Sequence, residues 1–558
     1  VEGFASELLV DRLVDWGIDT VFGLPGDGVD GVAAAFRRRA DRIRLVLVHH
    51  EEAAAFMATG YAKATGKLGV CLATSGPGAI HLLNGLYDAK LDHQPVLAVT
   101  ELLDSQLLGT SFPQELRLEQ VFEDVADYNV LVDVPVQIPA VVDIAVGHAL
   151  ARGAVSHITF PHDLRPDGDA GYWAAMTPST VPATAPVFVP APGVPPAAEL
   201  AAAAAVLNQG SRRAILVGVG GFEARAELLA VADRLASPIV KSLPGKAAVP
   251  DDHPLTTGCA GALGTVASQQ VLTEADTLLV LGTNYPWADH PLDPDRLRTV
   301  RIEAELTRLA AGSHTEVSLV GDAAETLQAL LPLLDPAGDR SFVGRAQAAM
   351  ARWRELLAAE ELGGGAPVRP QYLARAVDRL AAGDAVLCAD SGAMATWSAR
   401  HFDVRHARDY LLSANLATMA AGLPYAIAAQ LARPGRQCIA YVGSEGFAKL
   451  MAEFLTAVQH RVPVNVVVSN APRAPAAGAA ADFALWARGC GGLGIRVERS
   501  DEVEPALRAV LDHPGPALLD VLVDPAVTPQ PLGGPGGSRS GAVAPRSMPP
   551  GVTAGCGG

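Results

Sequence analysis

The sequence predicts an α/β protein of three doubly wound parallel-sheet domains, and three observations predict it. Short apolar runs alternate with helical patterns along most of the chain, the mark of strands covered on both faces by helices. Several of these runs end in glycine-bearing turns, as the strand-to-helix corners of such sheets require. The length, 558 residues of which 49% are hydrophobic, supplies three or four cores at roughly 150 residues per domain.

The elements follow in order. A first domain, 1–177, carries the apolar runs Thr20–Gly23, Leu45–Val48, Gly69–Thr74 and Val96–Thr100, read as buried strands, with a helix from Glu52 to Ala64 between the second and third. The Pro/Ala-rich stretch 178–196 reads as a linker. A middle domain, 197–335, opens with a helix over Ala197–Leu207, continues with the strands Ala214–Gly218 and Thr277–Gly282, and closes with a helix over Ala323–Leu334. A second linker, 336–365, contains a helix around Gln347–Glu361 and ends in three glycines, 363–365. The third domain, 366–527, shows the strands Ala385–Asp390, Cys438–Val442, Val464–Val468 and Ala517–Val521. The Gly/Pro/Ser-rich segment 528–558 lacks periodicity and is expected to be a disordered tail.

Composition excludes several functions. With 43 Lys and Arg against 60 Asp and Glu the net charge is −17, and no basic stripe suits a nucleic-acid backbone. No apolar run approaches the roughly 18 residues of a membrane span, and the first residues lack a basic then apolar leader, so a cytoplasmic protein without membrane attachment is expected. The cysteines at 71, 259, 388, 438, 490 and 556 form no CxxC pair and no His-adjacent metal spacing. They read as isolated reduced thiols.

The glycine turns that follow strands are the candidate ligand sites, because a sharp turn presents backbone N–H groups to anions. They are Gly23-Leu24-Pro25-Gly26-Asp27, Ser75-Gly76-Pro77-Gly78, Gly218-Val219-Gly220-Gly221 and Gly443-Ser444-Glu445-Gly446. Taken singly, each is as well explained by the steric need of a tight turn. Their order, joined by the segments His50-Glu51-Glu52-Ala53-Ala54, Leu243-Pro244-Gly245-Lys246, Gly282-Thr283-Asn284 and Ala417-Thr418-Met419-Ala420-Ala421-Gly422, resembles the thiamin diphosphate (ThDP) enzymes. The likeness is greatest to the pyruvate oxidase, pyruvate:quinone dehydrogenase and acetolactate synthase branch, and it covers the chain to about residue 527.

The resemblance implies domains in the order pyrimidine-binding, flavin-like middle and diphosphate-binding, in a homodimer or homotetramer whose cofactor lies between the first domain of one subunit and the third of another. It implies that Glu51 activates the cofactor's aminopyrimidine, that Gln114 lines the substrate side for a 2-oxo acid, that Met419 wedges the cofactor into its bent form, and that Gly26 and the Ser75, Gly76, Pro77 and Gly78 turn border it. A carboxyl among Ala54, Phe56 and Met57 suits a proton relay; read without the resemblance, Glu51 is a first-turn glutamate favoured by the helix dipole. In the middle domain Gly218, Gly220, Gly282, Thr283, Glu303 and Asp322 stand where contacts to FAD are implied, and an inert structural domain is the other reading.

One departure decides the functional expectation. The family holds its divalent metal with an aspartate in a Gly-Asp-Gly turn and an asparagine 27 positions later. Here Ser444 follows Gly443 in that turn, and Asn470 is followed by Ala471 where the ligating asparagine belongs. A serine hydroxyl and an alanine methyl cannot hold Mg²⁺, which demands octahedral oxygen coordination. The covering loop after Ala471 is also short and Ala-rich. Conventional Mg–ThDP binding is therefore not expected, and no metal site is assigned. Glu445 and Arg473 are newly placed charges that could pair in the vacated position, or Arg473 could contact a phosphate directly. The expected function is a repurposed homologue: an FAD-only enzyme, a catalyst of unfamiliar chemistry in the old cleft, or a silent subunit partnered by an intact homologue. The alternative is an active 2-oxo acid decarboxylating oxidase or carboligase with an altered diphosphate anchor.

Overall fold

The computed structural model describes residues 4–24, 30–161, 163–164, 193–283, 296–305, 315–405, 407–471, 480–529 and 532. Gly26, Arg473, Asn284, most of the first linker and nearly all of the tail lie outside them. The described residues form three sheets of six strands each, all pairings parallel.

The first sheet contains β1 (Thr20–Leu24), β2 (Arg44–Leu47), β3 (Gly69–Ala73), β4 (Val96–Leu102), β5 (Tyr128–Leu131) and β6 (Val155–Pro161), in the order β2-β1-β3-β4-β6-β5. The middle sheet contains β7 (Arg213–Val217), β8 (Ile239–Lys241), β9 (Thr256–Cys259), β10 (Thr277–Leu281), β11 (Arg298–Glu303) and β12 (Val317–Val320), in the order β12-β11-β10-β7-β8-β9. The third contains β13 (Val386–Ala389), β14 (Asp409–Leu412), β15 (Cys438–Gly443), β16 (Asn465–Asn470), β17 (Leu493–Val497) and β18 (Ala517–Leu522), in the order β14-β13-β15-β16-β18-β17. The first and third sheets thus share one topology, and the middle sheet has the strand order of dinucleotide-binding folds. In each sheet the strand order reverses once near the centre, and the crevice outside the carboxyl ends of the strands at that point is where such sheets bind ligands. The reversals fall between β1 and β3, between β7 and β10, and between β13 and β15.

Sequence reading found β1 to β4, β7, β10, β13, β15, β16 and β18 and missed the interior strands β6, β8 and β11 along with most edge strands. β5, β14 and β17 are short and lie at or beside edges, where one neighbour suffices and the apolar run is weaker. The expected buried strand Leu45–Val48 is an edge strand instead: Leu47 is 43% exposed, because only β1 covers it. The stretch 336–365, expected as a linker, contains the helix Ser341–Glu360, whose Phe342, Val343 and Ala346 are buried in the middle-domain cores. Apolar residues on one face of a helix bury wherever a complementary surface lies beside it.

The first and third sheets meet within this chain. The helix Glu51–Thr65 is buried on almost every side, and it packs along the helix Gly422–Ala432, equally buried. Small residues permit the approach: a methyl group on Gly60 would lie 2.8 Å from Tyr425 Cδ1 and 2.9 Å from Tyr425 Cα. Phe56 and Tyr425 meet edge to face at 6.3 Å. Polar ties close the seam. Lys63 Nζ donates to Asp92 Oδ2 at 2.7 Å, to the Leu412 carbonyl at 2.8 Å and to the Tyr425 hydroxyl at 2.7 Å, and Asp92 accepts from the N–H groups of Ala414 and Asn415 at 2.9 Å each.

Candidate cofactor cleft

The seam carries two half-sites, one at each switch point. On the first-domain side, β3 ends in the turn Ser75–Gly78, and Pro77 opens the short helix Pro77–His81. Gly76 adopts φ +64, and a methyl group there would lie 2.8 Å from Gln114 Cβ, so a bare Cα lets the loop carrying Gln114 close over the turn. Gln114 is itself exposed and left-handed, φ +70. Gly78 faces Glu51: its methyl would lie 3.1 Å from Glu51 Oε1.

Glu51 is the first residue of its helix and 8% exposed, so the positive end of the helix dipole favours its carboxylate. Its Oε2 lies 2.9 Å from His81 Nδ1. The His81 ring stacks on His50 at 4.5 Å, 27° from parallel, and His50 Nδ1 caps the helix by accepting from the Glu52 N–H at 3.2 Å. The third domain reaches this corner through Glu453, which is wholly buried. Its Oε1 accepts from the N–H groups of His49 and His50 at 3.1 and 3.0 Å. Burial, with Glu51 close by, pushes the Glu453 carboxyl up to about 7. Asn84 bridges the domains, donating to Glu52 Oε1 and, at 3.4 Å, to Thr418 Oγ1.

Met419 follows Thr418 and is 37% exposed, so it is not the core methionine that its apolar character alone would suggest. The segment around it is strained: Ala417 (φ +54) and Ala420 (φ +76) are both left-handed, which costs an alanine roughly 1–2 kcal/mol.

The third-domain half-site is of another kind. β15 passes straight from Gly443 into the six-residue helix Ser444–Lys449, with Glu445 exposed on its first turn. Asp390, at the end of the neighbouring β13, is buried against it. Asp390 Oδ1 accepts from the Gly422 N–H at 3.0 Å, while Oδ2 has no hydrogen-bond partner and lies 1.9 Å from where a Gly446 methyl would sit. Burial pushes the Asp390 carboxyl up to about 6, against the donors of Gly422 and Ala420. On β16, the Asn470 side chain is spent inside the domain, donating to Asp520 Oδ1 at 2.8 Å and to the Ala481 carbonyl at 2.9 Å. Ala471 beside it is exposed.

This donor set does not fit Mg²⁺ with a diphosphate. A hard cation wants about six oxygens, and the two positions expected to supply side-chain ligands, 444 and 471, offer one hydroxyl and one methyl, while the neighbouring Asn470 amide is already engaged. The two carboxyls at the turn, Asp390 and Glu445, are also of the wrong sign for an anion.

In the middle domain the glycine turns converge at the switch point. Methyl groups would lie 2.6 Å from Gly218 Cα if placed on Gly245, and 2.7 Å from Gly282 Cα if placed on Gly220. Gly282 is left-handed at φ +54, and Thr283 lies against Gly218. Glu303, at the end of β11, is buried with Oε1 3.4 Å from Arg301 Nε. Asp322 is a helix cap, accepting from the Glu325 N–H at 2.9 Å.

The structure therefore brings Glu51 and Gln114 to the Ser75–Gly78 turn, leaves Met419 exposed beside the Asn84–Thr418 bridge, puts Gly443, Ser444, Glu445 and Asn470 at the ends of β15 and β16, and collects the middle-domain residues at a separate site. Sequence reasoning missed His81, Asn84, Asp390 and Glu453. Asp390 and Glu453 carried a signal, being acids at a strand end and in an apolar helix; His81 shows only as a histidine one turn past a glycine corner.

Family models of the thiamine pyrophosphate enzymes match all three parts of the chain. The N-terminal TPP binding domain matches residues 5–121, the central domain 200–330, and the C-terminal TPP binding domain 390–471 and 471–521. Among curated relatives, the protein YdaP of Bacillus subtilis (strain 168), whose name assigns it thiamine pyrophosphate provisionally, is 34% identical over 93% of this chain and 91% of its own. The pyruvate oxidase of Lactiplantibacillus plantarum is 32% identical over 84% of this chain and 77% of its own. Acetolactate synthase 2 of Nicotiana tabacum is 28% identical over 93% and 82% respectively.

Proposed function

The chain belongs to the thiamine pyrophosphate enzyme family, and from that premise we propose that it is a repurposed member, one that keeps the pyrimidine-side half-site and has given up the metal–diphosphate anchor. The observation that carries this reading is what stands at the two expected ligand positions, the hydroxyl of Ser444 and the exposed methyl of Ala471, with the neighbouring Asn470 amide committed to Asp520 and Ala481. A diphosphate bound without its cation would leave several negative charges uncompensated beside Asp390 and Glu445. The interruption of the C-terminal family match at residue 471 supports it further, since that is where the covering loop is shortened.

A second reading has its own observation. Glu51, the glycines of the Ser75–Gly78 turn, Gln114 and the exposed Met419 still converge, as an active 2-oxo acid decarboxylating oxidase or carboligase with an altered anchor would require. Among the relatives, pyruvate oxidase and acetolactate synthase are named for chemistry on such substrates. FAD in the middle domain is compatible with either reading and would make the repurposed protein a flavoprotein; a homo-oligomer, or a hetero-oligomer with an intact homologue, is compatible with both as well.

The deciding experiment incubates the purified protein with Mg²⁺, ThDP and FAD, removes free ligand, denatures it and quantifies what is released by chromatography. Release of no ThDP is expected. Stoichiometric ThDP overturns the repurposed reading in favour of the altered anchor, and FAD alone identifies a flavoprotein.

A further inference from the structure

With the diphosphate anchor gone, the pyrimidine-side corner is left with an unusual set of donors. His50, Glu51 and His81 each present one ligand atom, and these atoms all lie within 4.8 Å of one another. Two imidazoles and a carboxylate with open positions beside them are a donor set for borderline divalent transition metals, whereas Mg²⁺ and Ca²⁺ want oxygen alone. We propose that His50, Glu51 and His81 form a binding site for a divalent transition-metal ion of the zinc type at the mouth of the cleft.

Three features of the surroundings support the assignment. The rings of His50 and His81 are already stacked at 4.5 Å and both side chains are partly exposed, at 39% and 44%, so an ion can enter without opening the fold. The corner is negative: Glu51, Glu52 and Glu453 all approach it, and no lysine or arginine among the described residues pairs with any of the three. Finally, outer partners are in place to orient the ligands. The Glu52 N–H donates to His50 Nδ1 at 3.2 Å and so orients that ring, and Glu453 fixes the backbone of His49 and His50. Such outer partners set the tautomer and aim of ligating histidines. Three protein ligands leave a fourth position of a tetrahedral ion to water or a small ligand.

The inference rests on the reading above in one respect: a cofactor seated on Glu51 would compete with the ion. The test uses the untagged full chain, stripped with a chelator, and Co²⁺ as the probe in the absence of ThDP. One equivalent of Co²⁺ is expected to give a visible d–d band that Zn²⁺ abolishes and a hundredfold excess of Mg²⁺ leaves in place. His50→Ala, His81→Ala and Glu51→Gln are each expected to weaken Co²⁺ at least tenfold, about what loss of even an outer partner costs a metal site. His513→Ala, at a ring bonded within its own turn to Gly515, is expected to change nothing. His81→Asn serves if the alanine variant melts early. No band at one equivalent, or a band that survives His50→Ala combined with His81→Ala, overturns the proposal. Absence of Co²⁺ binding leaves the ThDP-retention result standing, and stoichiometric ThDP in Mg²⁺ leaves the Co²⁺ result standing, so the two ideas fail separately.

Discussion

The first and third domains share one strand order and present the same feature, a glycine turn at a switch point, to the same cleft. Yet one turn is surrounded by side chains that converge and the other by side chains turned inward. At the Ser75–Gly78 turn, Gln114 lies against Gly76 and Glu51 against Gly78, and Glu51 is bonded to His81. At the Gly443–Gly446 turn, Asn470 bonds to Asp520, Asp390 bonds to Gly422, and a serine stands where a charge would be needed. The same backbone supports both, which shows how little a fold constrains the chemistry at its switch points. A buried amide such as that of Asn470 takes a partner within the protein, because leaving it unpaired costs about 1–3 kcal/mol.

If the seam between the two domains holds the comparison together, breaking it has the largest effect. Gly60→Val places a side chain against the Tyr425 backbone and is expected to destabilise the protein by about 3 kcal/mol, read as a lower midpoint in urea. An unchanged midpoint would mean that the two sheets do not meet along these helices.

The seam also predicts a pH dependence. Glu453 has its folded pKa raised to about 7, above its unfolded value of about 4.5. The folded state therefore holds the proton more tightly, and the stability this contributes is present below about pH 4.5 and lost as pH rises through 7. The span is on the order of 3 kcal/mol at most. Glu453→Gln is expected to flatten that part of the stability–pH curve, measured by urea unfolding between pH 5 and 8, and a curve identical to that of the unmodified protein would remove Glu453 from the account.

Smaller effects sharpen the contrast between the turns. Asn470→Ala should cost about 1–2 kcal/mol through loss of the Asp520 and Ala481 bonds, with no change in ThDP retention. A urea midpoint equal to that of the unmodified protein would mean that these bonds contribute nothing to the fold. Smallest in stability, within about 0.5 kcal/mol because both positions are at least partly exposed, is the combination Ser444→Asp with Ala471→Asn. It restores the missing donors and is expected to raise ThDP retention in Mg²⁺ by at least tenfold. No gain would place the defect in the shortened loop rather than in the ligands.

Much of the molecule could be read from residues alone, for physical reasons. Central parallel strands are apolar on both faces, so β3, β4, β10, β13, β15 and β16 stand out as runs, while β5, β14 and β17 at sheet edges do not. Glycine corners mark switch points because the combination φ +64, ψ −127 at Gly76 is open to glycine alone. The departure from the family's metal-ligand residues was legible as residue types, Ser444 and Ala471, since no packing can make a methyl coordinate a cation. What only the tertiary structure decided is who faces whom. Glu453 beneath His49 and His50 lies some 400 positions away in sequence, Asp520 takes the Asn470 amide across 50, and His81 swings onto Glu51 and His50 across about 30. A local pattern records which face of an element is apolar, but a hydrogen bond between two sheets depends on how their helices seat against each other, and that seating is a property of the whole packed core.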